Sequence, residues 1–181
     1  REAETLCNAI LKLGEDYKIL TLLAHAEQRL GRPNTREHFE RAVALLPDVG
    51  LQGEEAENEL REKSATLFNY ASLLIQQGEA KRALSIYKEE VLPVFEQLGD
   101  VREKAVTMGQ IADILQACGQ FDEALKIYQN DVLPVHEQLG DVRLKAITMG
   151  QIADILQARG QHRKRVEKGQ NEDLGGRQHI D

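Results

Sequence analysis

Apolar residues recur along this chain at spacings of three and four, and single glycines interrupt them. Val106, Ile111, Ala112, Ile114 and Leu115 line one side of a helix. Gly119 follows that stripe and suits the left-handed residue that ends a helix. Ahead of it, Asp100 and Glu103 have the spacing of a capping box, in which two side chains satisfy exposed amides. A second stripe, Ala124, Leu125, Ile127, Tyr128 and Val132, starts from Phe121 or Asp122. The pattern predicts a hairpin: helix A, a tight turn at Gly119-Gln120, helix B, and a connection at Leu139-Gly140-Asp141.

That hairpin is repeated. Leu98 to Gln120, LGDVREKAVTMGQIADILQACGQ, returns 41 positions on as Leu139 to Gln161, and only three positions differ: Glu103 to Leu144, Val106 to Ile147, Cys118 to Arg159. A looser copy runs from Arg61 to Asp100 with its turn at Gly78. A period of this size marks a stacked array in which each unit buries its apolar face against its neighbours. Pro93 and Pro134 stand inside helix B of successive copies, both within VLPV. Each removes an amide and would clash with the carbonyl four residues back, so a kinked helix or two short helices are expected there.

These residues resemble the tetratricopeptide repeat. Ala71 and Ala112 take the small helix-A position, followed seven residues later by Gly78 and Gly119. Ala83 and Ala124 take the small helix-B position, with Tyr87 and Tyr128 four residues on. The ending LGD and the period of 41 resemble the longer subtype found in kinesin light chains and in sensor arrays of bacterial signalling ATPases. Leu67, Met108 and Met149 stand where the family places a Trp, which this chain lacks. The resemblance implies an all-α fold, a right-handed superhelical array of antiparallel helix hairpins.

Upstream, Phe39, Ala42 and Pro47 fit the shorter form of the repeat. Tyr17 to Leu30 would be its helix A, with Leu22, Leu23 and Ala26 buried and Gly31-Arg32-Pro33 as the turn. Residues 1–160 divide as helix B of a truncated repeat (1–13, with Leu6, Ala9, Ile10 and Leu13), a short repeat (16–47), long repeats (54–98 and 100–139) and a last helix A (141–160). The segment 48–57 reads as a polar connection. After Gly160-Gln161 the register breaks: Arg165 replaces the helix-B alanine, Gly169 the tyrosine, and only Val166 stays apolar. Residues 161–181 read as a polar capping helix or a disordered tail, and the basic run His162 to Arg165 as a solvated stretch.

Composition narrows the function. A formal net charge of −7 argues against a nucleic-acid backbone as the main ligand, which needs a basic stripe. No apolar run approaches the ~18 residues of a membrane span. Cys7 and Cys118 have no metal-ligand spacing and read as reduced thiols of a cytoplasmic protein. The five histidines, His25, His38, His136, His162 and His179, form no HExxH or paired motif and read as surface or groove-edge residues. No phosphate loop is present. Asp113 and Asp154 recur at the repeat period, which marks a periodic surface feature and not an acid/base pair. The expectation is no enzyme, no metal and no cofactor.

Where helices A line the concave face, as the resemblance implies, the partner-facing positions are Phe68, Asn69, Ser72 and Gln76, then Gly109, Gln110, Asp113 and Gln116, then Gly150, Gln151, Asp154 and Gln157. The amides of Asn69, Gln110 and Gln151 both donate and accept, which suits a peptide backbone. Mid-helix glycine costs ~1 kcal/mol, so Gly109 and Gly150 should serve close helix approach or leave room for a ligand. Two functions fit: a non-catalytic scaffold holding a protein or peptide partner with some basic character, or a sensor segment of a larger signalling ATPase or protease. The start at Arg1 predicts excision from a longer protein.

Overall fold

The computed structural model describes residues 16–46 and 53–176, with side chains to residue 166. The expected helix B at 1–13, Cys7, Pro47, residues 48–52 and His179 lie outside the described residues. Every regular element among the described residues is helical, as an all-α hairpin array requires. The chain separates into two compact units, Arg1–Asp100 and Val101–Asp181.

In the first unit, α1 (Tyr17–Arg29) starts at Asp16, whose carboxylate accepts from the Lys18 amide at 2.7 Å. The turn through Gly31 leads into α2 (Thr35–Ala44). Leu20, Leu23, Ala24, Phe39 and Ala42 are fully buried between the two helices. Glu27 and His38 face one another across the same hairpin, with Oε2 and Nδ1 2.7 Å apart. Leu22, expected in this core, is 63% exposed, and Ala26 is only half-buried. The stripe of α1 runs through Leu20, Leu23, Ala24 and Glu27, a spacing of three and four that leaves Leu22 on the outer side.

The second hairpin pairs α3 (Glu54–Gln76) with a helix B in three pieces. These are α4 (Ala80–Ser85), a π-helical turn (Ile86–Val91) and α5 (Leu92–Gln97). Ala71, Ala83 and Tyr87 are all fully buried where α3 packs on α4 and the π turn, as small residues at a helix crossing permit. Gly78 takes φ +83°, and the Glu79 amide returns to the Leu74 carbonyl at 2.8 Å. This is the left-handed cap that a residue with a Cβ resists.

The second unit repeats the plan with α6 (Val101–Ala117), α7 (Phe121–Ile127), a π turn (Tyr128–Val132) and α8 (Leu133–Gln138). Its core holds Ala105, Ile111, Ala112, Ile114, Leu115, Ala124, Leu125, Tyr128 and Val132. Val106 and Ile127, expected inside, are half-buried at the rim of their stripes.

The prolines are accommodated by the π turns. Leu92 donates to the Tyr87 carbonyl and Leu133 to the Tyr128 carbonyl, five residues back in both. The extra residue re-pairs the backbone ahead of the proline. Pro93 and Pro134 then fall in the first turn of α5 and α8, where a missing amide costs little.

The last helix departs from expectation. α9 runs 35 residues from Val142 to Gly176, straight through Gly160 and Gln161 where a turn was expected. The helix-B residues that would fold back on α9 are absent from the sequence after Gly160. The continuing helix finds contacts with α7 instead: Arg159 reaches Asp122 at 2.8 Å, and the His162 ring meets Phe121 edge-on at 5.8 Å. At its start, Asp141 accepts from the Leu144 amide at 3.0 Å.

Candidate functional site

The helix-A positions singled out in the sequence divide into those tied to helix B and those left open. In α3, Phe68 packs edge-on against Tyr87, ring centres 5.1 Å apart. Ser72 donates to the Phe68 carbonyl and sits 2.8 Å from the Tyr87 hydroxyl. Gln76 is exposed and accepts from Gln28 at 3.3 Å. Asn69 is half-buried, makes no side-chain hydrogen bond among the described residues, and borders a 380 Å³ cavity between α1 and α3. Tyr17, Thr21, Leu22, His25 and Glu62 also line that cavity.

In the second unit the Tyr128 hydroxyl lies 3.2 Å from the Gly109 carbonyl and donates to Asp113 Oδ1 at 2.7 Å. Gln151 of α9 donates to the same carboxylate oxygen at 3.2 Å. Asp113 is therefore no solvated surface group. Burial pushes its pKa above the ordinary carboxylate value, with the Tyr128 hydrogen bond opposing. Burial also raises the Tyr128 phenol, and the neighbouring Asp113 carboxylate adds to that. Asp154, its counterpart one period later, is exposed and has no partner among the described residues. The two aspartates share a sequence position and not an environment.

Gln110 and Gln116 are half-buried, without side-chain hydrogen bonds among the described residues, while Gly150 and Gln157 are exposed. Close packing does not account for the mid-helix glycines. A Cβ on Gly109 would meet Tyr128 at 3.9 Å, an ordinary contact, and one on Gly150 would meet nothing within 4 Å. The tyrosine hydroxyls were missed in the sequence reading. The signal was available, since Ser72 and Asp113 both precede the helix-B tyrosine by 15 residues.

The histidines also differ from expectation: His38 and His136 are buried, held by Glu27 and by Thr148 Oγ1 at 2.9 Å respectively. Both occupy the inner stripe of a helix B, which a lone polar residue can join when it finds a partner. Among the described residues no cluster of His, Cys, Asp and Glu has the makings of a metal site, and no helix is long and apolar enough to cross a membrane.

Residues 107–142, from α6 to the first residue of α9, match the family model described as tetratricopeptide repeat. No curated protein matches the chain. The buried Ala112, Ala124 and Tyr128 lie within the matched segment. The match identifies one tetratricopeptide repeat, and the hairpin upstream at 54–97 has the same plan.

Proposed function

We propose that the chain is a non-catalytic scaffold of the long, 41-residue repeat class, binding a peptide or helix of a partner protein on the groove side of its helices A. Tetratricopeptide repeats generally mediate protein–protein interactions, which favours this class of function. The division into a short repeat at 16–47, long repeats at 54–98 and 100–139 and a final helix A frames the reading.

The observation that carries it is the state of the amides. Asn69 and Gln110 hold the same repeat position, are partly open to solvent, and form no side-chain hydrogen bond among the described residues. Amides left with donors and an acceptor to spare at partly open positions suit an incoming backbone. Gln151 contributes less to a partner, because its amide is engaged by Asp113. The exposed Asp154 adds selectivity for Lys or Arg on a partner in a cytoplasmic setting.

The test compares partner recovery by wild type and by the triple variant Asn69→Ala, Gln110→Ala, Gln151→Ala, with helicity and thermal stability measured alongside. Loss of recovery from a folded variant is expected. Equal recovery would move the binding surface to the opposite side or the loops and overturn this reading.

A further inference from the structure

The side of α9 that faces away from α7 and α8 repeats, residue for residue, a side of α6 that the protein itself covers with a helix. Ala105, Met108, Gly109, Ala112 and Leu115 of α6 correspond to Ala146, Met149, Gly150, Ala153 and Leu156 of α9. In α6, the alanines and Leu115 are buried where α7, the π turn and α8 pack. In α9, both alanines are exposed, Met149 is 54% exposed and Leu156 48%. Spacings of three and four put all five on one side of the helix. The opposite side is closed, with Ile155 and Thr148 buried in contact with the preceding helix B.

The last helix A of the described residues therefore presents the apolar face of an inner repeat. Its polar receptor is also present and open. Tyr128 reaches the Gly109 carbonyl and Asp113, and their counterparts Gly150 and Asp154 are both exposed. Residues 161–176 do not fill the site, since they extend α9, and Arg165, Val166, Gly169 and Asp173 stand where Ala124, Leu125, Tyr128 and Val132 would be needed.

We infer that α9 is a docking site for an amphipathic helix of another protein patterned like α7 to α8. That helix carries an alanine at the crossing, a leucine beside it and a tyrosine four residues on. The tyrosine hydroxyl bonds the Gly150 carbonyl and the Asp154 carboxylate, as Tyr128 bonds Gly109 and Asp113. Charge favours the same occupant: α7 opens on Asp122 and Glu123, and the exposed Lys164, five turns on from Ala146, is a cation on the side of α9 that carries the stripe. The partner thus completes the hairpin that α9 leaves open. This site shares Asp154 with the groove proposed above, so a docked helix would take that carboxylate from a basic partner, but it does not use the open amides at Asn69 and Gln110.

The probe is a synthetic peptide of residues 121–138, FDEALKIYQNDVLPVHEQ, titrated into the full 181-residue chain. Saturable binding at one peptide per chain is expected by fluorescence anisotropy. Leu156→Glu, at a site open enough to tolerate it, should weaken binding by about 10-fold or more, because it sets a charge against the apolar stripe. Asp154→Ala in the protein, or Tyr128→Phe in the peptide, should each cost about 5-fold, the size of one hydrogen bond. The double variant Asn69→Ala, Gln110→Ala should bind the peptide like wild type. Three results would overturn the inference: no binding at millimolar peptide, binding indifferent to Leu156→Glu or to the tyrosine change, and a dimer of the chain in sedimentation that Leu156→Glu disperses. The last would make a second copy the occupant.

Discussion

Asp113 shows how far a single position departs from its repeat. It is the carboxylate between a tyrosine hydroxyl and a glutamine amide, and its pKa lies above the ordinary value because it is half-buried. A group whose folded pKa is raised holds its proton more tightly in the folded state. Its contribution is then most favourable at low pH and is lost as pH rises through the folded value. Asp113→Asn keeps an acceptor for Tyr128 and Gln151 without the charge. The variant should melt higher than wild type at pH 7, and the gap should close as pH falls below the carboxylate range in parallel thermal melts. Ala124 is simpler, being fully buried where α6 and α7 cross. Ala124→Leu should overpack that crossing and cost ~1 to 3 kcal/mol in chemical denaturation. The importance of Ala124 was legible from repeat spacing. The state of Asp113 was not, since burial depends on Tyr128 and Gln151 arriving from other helices.

At the scale of elements, the same sequence forms two different structures. Gly119 ends α6 at φ +78°, while Gly160, at the same place in the next copy, sits inside α9 with nothing within 4 Å of a Cβ. The two alanine substitutions should therefore have opposite signs. Gly119→Ala forces a left-handed alanine and should cost ~1 to 2 kcal/mol. Gly160→Ala removes a helix-interior glycine and should stabilise by ~0.5 to 1 kcal/mol, provided the whole of α9 melts with its unit. Paired denaturation curves decide both. The prolines make a further element-scale claim. A proline clashing inside an α-helix costs ~3 kcal/mol, but each π turn places it where its missing amide is not needed. Pro134→Ala should change stability by less than ~1 kcal/mol. A gain near the full value would mean that the π turn relieves nothing. Sequence reading located both prolines and the disturbance they cause, but not its form, because the π turn is a choice among backbone pairings made in the folded helix.

For the molecule as a whole, charge is the property that carries furthest. A net charge of −7 should speed encounter with a basic segment at low ionic strength and lose that advantage as salt rises. If the scaffold reading holds, the association rate with a Lys- or Arg-bearing peptide should fall between 50 mM and 500 mM salt, with the dissociation rate less affected. Stopped-flow measurement of an association rate flat in salt would count against a basic partner. Surface pairs such as Arg102 with Asp141 should add only ~0 to 1 kcal/mol each to stability, since both groups remain in contact with water.

The sequence by itself determined the helices, their pairing into hairpins, the turn glycines and the small residues at each crossing. All of these follow from periodicity and from conformational preferences carried by single residues. Glycine caps at positive φ, alanines at crossings and tyrosines four residues on need no knowledge of the neighbours. Only the tertiary structure decided which of two matching carboxylates is buried, that the helix continues at Gly160, and that Leu22 and Leu156 lie outside. Those outcomes depend on which helix lies alongside. The α6 stripe has helix B packed on it, and the identical α9 stripe does not. Repeats that are nearly the same in sequence thus become different surfaces, because burial belongs to the neighbourhood and not to the residue.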